Sequence, residues 1–326
     1  MRHKSKSFVL GMILLVLMML AGCDGSTVYN GDRDSAETGD QLLIYTSMYP
    51  LYFFTKEIVG DRGEVVNLIP AGMDPHDFEP TIHDMMRLSK ADLFVYNGSG
   101  LEPWIERMTE VVDKPGFLLD TTEAIHLASH DHERKMDHHE HDLELDGEDH
   151  VHHPSDPHVW LDPHLDKLQA EAIKDGLIHV DQKNEPYYRN NFKQLAERLD
   201  QLDAQFQDLA KHAQRTDFVV SHAAFGHLAN RYGLNQVAIT GVHVEEPSSR
   251  QVQEIIRFIL DNGIEYILID HLSTSKVAEV IKAETGVNFL MLHHLEGLTE
   301  EEAAQGKDYF SIMEKNISNL KNYKEI

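Results

Sequence analysis

Cysteine is nearly absent from the 326-residue chain, where it occurs once, at Cys23. A single cysteine excludes an intramolecular disulfide, and it excludes a metal site built from several thiolates. Any metal that the folded domain binds must therefore be held by nitrogen and oxygen atoms.

Basic residues are also scarce. The chain has 29 lysines and arginines against 55 aspartates and glutamates, which gives a formal net charge of −26. This balance excludes nucleic acid as the main partner, because phosphate backbones require a basic surface. Most of the acidic residues are expected to form a solvated surface, and their excess is compatible with the collection of cations.

The chain has no apolar run long enough to cross a bilayer. The first apolar run covers residues 8–20, follows a basic start and is too short for a stable transmembrane helix, so it predicts a signal peptide. The Leu-Ala-Gly-Cys sequence that ends at Cys23 resembles a bacterial lipobox. We therefore expect removal of residues 1–22, a lipid on Cys23 that anchors the protein to the outer face of the cell membrane, and a flexible tether over residues 23–40.

Strand and helix patterns alternate through most of the remaining chain. Short apolar runs predict strands over residues 42–47, 65–69, 92–97, 117–119, 218–221, 237–240, 266–269 and 287–292. Helical spacing predicts helices over residues 49–59, 82–90, 102–112, 223–232, 247–262, 275–285 and 309–320. This alternation is typical of an α/β fold with parallel sheets flanked by helices.

One long amphipathic helix interrupts the alternation. Apolar residues recur every three or four positions between residues 185 and 213, and Pro186 occupies a first-turn position where proline is tolerated. We expect residues 184–214 to form a rigid linker helix between an N-terminal lobe (41–183) and a C-terminal lobe (215–326). Two lobes suggest a cleft between them.

Histidine is concentrated in one region. Eleven of the 22 histidines fall within residues 126–164, and nine of these alternate with acidic residues in the loop 126–153. Imidazole is a common ligand for transition metals, so this loop predicts metal capture, although a polar surface loop with incidental histidines is the alternative. The candidate collecting residues are His130, His132, His138, His139, His141, His150, His152 and His153.

Four further candidate ligands lie in ordered contexts, three of them where predicted strands end, and ligands gather at the carboxyl ends of parallel strands. His158 is the exception, since it lies between two Asp-Pro pairs, and either Asp156 or Asp162 could accept its second N–H. Three imidazoles and one carboxylate would satisfy four-coordinate zinc without a vacancy for a reactive water. The candidates are His76 in AGMDPHDFEP, His158 in DPHVWLDP, His222 after FVVS, and Glu296 in LHHLEGL, where His293 and His294 are rivals.

Taken together, these segments resemble the cluster A-I solute-binding proteins of metal-importing ABC transporters, in particular the zinc-binding lipoprotein branch. The resemblance covers about residues 41–323 and rests on GMDPHDFEP, the histidine-rich loop, DPHVWLDP, SHAAFGHLANRYGL and LEGLTEEEAAQGKDYF. It implies two βα lobes joined by a long rigid helix, with the metal in the interlobe cleft. It assigns the metal ligands to His76, His158, His222 and Glu296.

The resemblance also implies partners and a preferred metal. We expect a monomer that binds Zn²⁺ and passes it to an ABC permease with its ATPase. Manganese is less favoured, because manganese-selective relatives generally replace one histidine with a carboxylate and lack the loop. Two departures leave questions open: His293-His294 stands where the family usually has Asn-Pro or Asp-Pro, so a histidine could replace or join Glu296, and His227 stands where it commonly has tyrosine.

Two other function classes compete with transport. A zinc hydrolase would need a general base and an open coordination position, and the chain has no HExxH pattern. A surface adhesin or metal-storage lipoprotein is the other alternative, and a neighbouring permease and ATPase in the genome would count against it. We therefore expect a binding protein and no enzyme.

Overall fold

The computed structural model describes residues 41–109, 118–125, 156–242, 246–270 and 276–323. All of them belong to one unit, Gln41–Ile326. The predicted signal peptide and tether, Cys23, and the histidine-rich loop with its eight candidate histidines lie outside the described residues. Within the described ranges, no helix is both long and apolar enough to cross a membrane.

The first half of the chain forms a parallel four-stranded sheet, in which the strands lie in the order Gly63–Asn67, Leu42–Thr46, Leu93–Tyr96 and Leu118–Asp120. The apolar runs that predicted strands supply its buried residues, such as Ile44, Phe94 and Val95. Its elements are β1 (Leu42–Thr46), α1 (Tyr49–Val59), β2 (Gly63–Asn67), α2 (Ile82–Leu88), β3 (Leu93–Tyr96), α3 (Ile105–Thr109) and β4 (Leu118–Asp120).

Two helices follow this sheet before the second sheet begins. The long helix was predicted almost to its ends and is observed as α5 (Glu185–Lys211), 27 residues long. The helix before it, α4 (Pro163–Val180), was not predicted. The Asp162 side chain caps α4 by accepting a hydrogen bond from the His164 backbone N–H, so His164 lies in the first turn.

The second half repeats the α/β pattern, with a parallel sheet in which the strands lie in the order Asn235–Thr240, Asp217–His222, Tyr266–Ile269 and Asn288–Met291. Helix α6 starts three residues later than predicted, and the short helix α9 was not predicted. The elements are β5 (Asp217–His222), α6 (Gly226–Tyr232), β6 (Asn235–Thr240), α7 (Ser249–Asn262), β7 (Tyr266–Ile269), α8 (Lys276–Thr285), β8 (Asn288–Met291), α9 (Glu300–Ala304) and α10 (Tyr309–Asn322).

One hydrophobic core includes residues from both sheets and from the apolar stripe of α5. Leu199 and Phe206 of α5 are buried in it, together with Ile44 of β1 and Val220 of β5. A second, smaller core lies among β5, β7 and α7 and contains Val219, Ile259 and Ile267. The predicted two α/β lobes with parallel sheets are thus confirmed, while the exact lobe boundaries and the stiffness of the linker stay predictions.

Candidate metal centre

Four potential ligands from four separated parts of the chain converge. One donor atom from each of His76, His158, His222 and Glu296 lies within 4.8 Å of the others. No other group of three or more potential metal ligands meets in this way within the described residues. Three of these side chains are almost fully buried, and His76 is partly buried.

The distances between the donor atoms match those of a small tetrahedral site. The Nε2 atom of His158 lies 3.2 Å from that of His76 and 3.1 Å from that of His222. Glu296 Oε1 lies 3.7, 3.4 and 3.9 Å from the Nε2 atoms of His76, His158 and His222. Four ligands at zinc-ligand bond lengths are about 3.3 Å apart, so these five distances are close to that geometry, and the sixth pair, His76 and His222, lies within 4.8 Å.

One buried polar atom at this centre, Glu296 Oε1, supports the fit. Glu296 Oε1 and His222 Nδ1 have no hydrogen-bond partner among the described residues. A buried carboxylate oxygen without a hydrogen bond is costly in free energy. A cation at the meeting point of the four side chains would offset that cost for Glu296.

The residues next to His76 in the sequence restrain its backbone conformation. Pro75 begins a short 3-10 turn, Pro75–Asp77, and the side chain of Asp74 accepts a hydrogen bond from the His76 backbone N–H at 2.8 Å. The turn follows β2, at the carboxyl end of the first sheet. Proline and the aspartate cap restrict the backbone before any metal arrives, which lowers the entropy cost of forming the site.

His158 is oriented by Asp156. The Asp156 Oδ1 atom accepts hydrogen bonds from the backbone N–H of His158 at 3.0 Å and from its Nδ1 at 2.7 Å. The proton is thereby held on Nδ1, and the Nε2 lone pair points toward the centre. Of the two aspartates that the sequence left open, Asp156 has this role, whereas Asp162 caps α4 and pairs with Arg231.

The second half of the chain supplies the other two candidate ligands. His222 is the last residue of β5, and Glu296 follows β8, so both lie at the carboxyl end of the second sheet. The turn before Glu296 contains Leu295 in a left-handed conformation, with φ of 60°. The Leu295 backbone N–H donates to His293 Nδ1 at 2.8 Å, which stabilises this otherwise unfavourable backbone.

His293 and His294 lie beside the centre but outside the group of converging donors. His293 Nδ1 is occupied by the Leu295 N–H, and its Nε2 lies 3.5 Å from Glu302 Oε2. His294 Nε2 lies 2.9 Å from Asp270 Oδ2, and His294 Nδ1 lies 3.5 Å from Glu296 Oε2. The geometry therefore places Glu296 among the converging donors, while His294 contacts Glu296 on the side away from them.

The electrostatics prepare Glu296 and His222 for a cation. Burial alone would raise the pKa of Glu296, but the positive charge of His294 and the neighbouring side chains of His158 and His76 hold it well below its ordinary value. Burial, together with the neighbouring His158, lowers the pKa of His222 to about 4. Zinc requires an ionised carboxylate and neutral imidazoles, so both shifts favour its binding at neutral pH.

Sequence reasoning missed the contacts made by α6. His227, whose role the sequence left open, places Nε2 2.9 Å from the backbone oxygen of Asp156. Arg231, one turn later, forms an ion pair with the buried Asp162 carboxylate. A spacing of four residues on a helix placed both side chains on one face, but nothing in the sequence indicated which segment that face contacts.

Comparison with known proteins gives close relatives over most of the chain. A High-affinity zinc uptake system protein ZnuA from Bacillus subtilis (strain 168) is 35% identical over 311 residues, which cover 95% of both chains. A Zinc-binding protein AdcA from Streptococcus pyogenes is 36% identical over 286 residues, 86% of this chain, but the match spans only 56% of that longer relative.

The fold is likewise similar to solved structures. The Zn(II)-bound ZnuA-like domain of Streptococcus pneumoniae AdcA matches with a TM-score of 0.71 and 32% identity, covering 88% of this chain and all of that domain. The family model described as "Zinc-uptake complex component A periplasmic" matches residues 44–323. The chain belongs to this ZnuA family of periplasmic zinc-uptake components.

Proposed function

We propose that this protein captures Zn²⁺ outside the cytoplasm with His76, His158, His222 and Glu296, and delivers it to the permease of an ABC importer. The observation that carries the proposal is the convergence of these four donor atoms within 4.8 Å. The zinc-uptake function in the names of its relatives supports the same conclusion.

The donor set favours zinc over manganese as the cargo. Three imidazole nitrogens and one carboxylate oxygen suit Zn²⁺, whereas Mn²⁺ prefers carboxylates, carbonyls and water. The Oε1 atom of Glu296 faces the three histidines, while its Oε2 atom faces His294. One oxygen from Glu296 completes a coordination number of four.

The same geometry favours carriage of the ion over catalysis. A catalytic zinc site normally has three protein ligands and leaves one position for water or substrate. Here four protein donors can fill a tetrahedral shell. This donor set supports a protein that binds and releases the ion as cargo over a zinc hydrolase.

Two parts of the proposal rest on the sequence alone. A lipid on Cys23 would anchor the protein beside its permease, on the outer face of the membrane. The loop 126–153 would collect Zn²⁺ weakly and raise its concentration near the cleft. Deletion of residues 129–153 is expected to remove weak zinc binding in calorimetric titration and to leave one strong site, and loss of the strong site would contradict this division of roles.

Alanine substitution of each ligand tests the centre. His76→Ala, His158→Ala, His222→Ala and Glu296→Ala are each expected to weaken zinc binding by more than the roughly 10–100-fold that loss of an outer-shell partner costs. Zinc stoichiometry and affinity would be measured by competition with a chelator. His83→Ala, on α2 and outside the converging group, is the matched control and should bind like the wild type.

Transport is tested in the cell. Deletion of the gene is expected to slow growth under zinc starvation, and added zinc should restore it. A gene for the His158→Ala variant should fail to complement the deletion. Unchanged zinc binding in all four ligand variants, or normal growth of the deletion strain without zinc, would refute the proposed function.

A further inference from the structure

The segment that carries His158 is held by two different parts of the molecule. The side-chain amide of Asn97, which directly follows β3, donates to the Pro157 backbone oxygen at 2.9 Å. Nε2 of His227, on α6, lies 2.9 Å from the Asp156 backbone oxygen. Because a carbonyl can only accept a hydrogen bond, His227 Nε2 must carry a proton. Two consecutive carbonyls are thus fixed from the N-terminal and the C-terminal half of the chain.

Asp156 transmits this restraint to the metal ligand. Its carboxylate accepts hydrogen bonds from the backbone N–H and from the Nδ1–H of His158. The orientation of the His158 ring therefore depends on the position of Asp156. The bond from His227 fixes the backbone of the same residue. A displacement of that backbone would move the carboxylate and release the orientation of the His158 ring.

The surface of α6 leaves space for the side chain of Asp156. A Cβ atom added at Gly226 would lie only 2.6 Å from Asp156 Oδ2, so the absence of a side chain there makes room for the carboxylate. At the other end of the segment, Arg231 pairs with Asp162. Helix α6 therefore contacts the His158 segment at both ends, through residues that are not themselves converging metal donors.

We propose that His227 is a positioning residue of the zinc site, which holds Asp156 so that Asp156 can hold His158. The inference rests on the proposed function. It means that the C-terminal half of the chain orients His158, a ligand that follows the N-terminal sheet in the sequence. Outer-shell partners of this kind orient ligands and raise metal affinity. His227 acts only through Asp156 and does not contact the ion.

Two substitutions break the contact from opposite sides. His227→Ala removes the donor, and Gly226→Ala keeps His227 but places a methyl group against the Asp156 carboxylate. Each is expected to weaken zinc binding by about 10–100-fold in competition with a chelator, and His227→Gln, which retains an N–H donor, is expected to recover most of the affinity. The absorption spectrum of bound Co²⁺, which reports coordination geometry, should change in the two disruptive variants and return toward that of the wild type in His227→Gln.

The matched control is His212→Ala, an exposed histidine at the end of α5 that should leave affinity unchanged. Thermal unfolding with a chelator present separates a stability effect from a ligand-orienting effect. If His227→Ala and Gly226→Ala bind zinc within about twofold of the wild type, the inference is wrong whatever their stability. It is also wrong if His227→Gln binds as weakly as His227→Ala while both keep the wild-type Co²⁺ spectrum. Zinc binding by the wild type, measured in the same series, decides the proposed function separately.

Discussion

At the scale of single residues, a buried carboxyl group outside the candidate metal centre shows how tertiary structure changes the pKa of a side chain. Asp166 of α4 is completely buried, and it accepts a hydrogen bond from the hydroxyl group of Tyr309 on α10. Burial raises the pKa of Asp166 well above its ordinary value of 3.8, and the hydrogen bond from Tyr309 opposes this only in part. The folded protein therefore retains a proton on Asp166 at pH values where the unfolded chain has released it.

This difference predicts a pH dependence of stability. The contribution of Asp166 is fully present below about pH 3.8 and is lost as the pH rises through the raised pKa of the folded state, by up to about 1.4 kcal/mol per pH unit. Asp166→Asn removes the titrating group. The unfolding free energy of the wild type, relative to that of the variant, should therefore fall as the pH rises above 3.8 toward the raised pKa of the folded state, measured by urea denaturation with a chelator present.

An exposed aspartate provides the control for that measurement. Asp200 of α5 is largely exposed and pairs with Lys167 at the surface. Asp200→Asn should shift the unfolding free energy by little, because exposed ion pairs contribute about 0–1 kcal/mol. A wild-type-to-variant difference at position 166 that stays constant over the pH range would contradict the prediction.

The residues of the centre were accessible to sequence reasoning to different degrees. His76, His222 and Glu296 became candidates because each lies at or after the carboxyl end of a strand, and parallel strands bring these ends together. Strand position alone did not separate Glu296 from His293 and His294. His158 could be recognised from the Asp-Pro pairs beside it. His227 could not, since its contact with Asp156 joins positions 71 residues apart and depends on how α6 packs.

At the scale of elements, the apolar stripe of α5 is what joins this helix to the shared core. Leu199 is fully buried there, whereas Gln205 of the same helix is exposed. Leu199→Ala is expected to lower the unfolding free energy by about 2–5 kcal/mol, because it leaves a cavity in a packed core. Gln205→Ala should stay within about 0.5 kcal/mol of the wild type in the same denaturation series, and an equal loss in the two variants would contradict the proposed packing.

The two central helices show why periodicity predicts some elements and misses others. The buried positions of α5 are apolar, so its pattern is clear in the sequence. The buried face of α4 includes Asp166, Gln169 and Lys174, so the hydrophobic pattern is diluted and the helix was missed. The better signal for α4 was its start, where Asp162 caps the helix and Pro163 occupies the first position.

At the scale of the whole molecule, ion binding and folding stability are linked. The four converging donors come from both halves of the chain, so an ion held by all of them stabilises the folded arrangement of both sheets. Zinc at about 100 times its dissociation constant is expected to stabilise the protein by about 2.7 kcal/mol and to raise the melting temperature. A chelator should reverse this shift, as followed by differential scanning calorimetry.

The variant lacking the most buried histidine ligand provides the control. His158→Ala should show a much smaller rise in melting temperature at the same zinc concentration, since one of the four donors is missing. Equal shifts in the wild type and in this variant would mean that the stabilising zinc binds elsewhere, for instance at the acidic surface expected from the net charge of −26.

Trp160 gives the molecule an internal optical probe. The chain has two tryptophans, and the ring of Trp160 lies 5.1 Å from that of His158, while its indole N–H donates to the backbone oxygen of His294 at 2.8 Å. The fluorophore therefore contacts a proposed ligand from one half of the chain and the turn before Glu296 in the other half. Replacing Trp104 with phenylalanine would leave Trp160 as the sole tryptophan, so that arrival and departure of the ion could be followed by tryptophan fluorescence in real time without any attached dye.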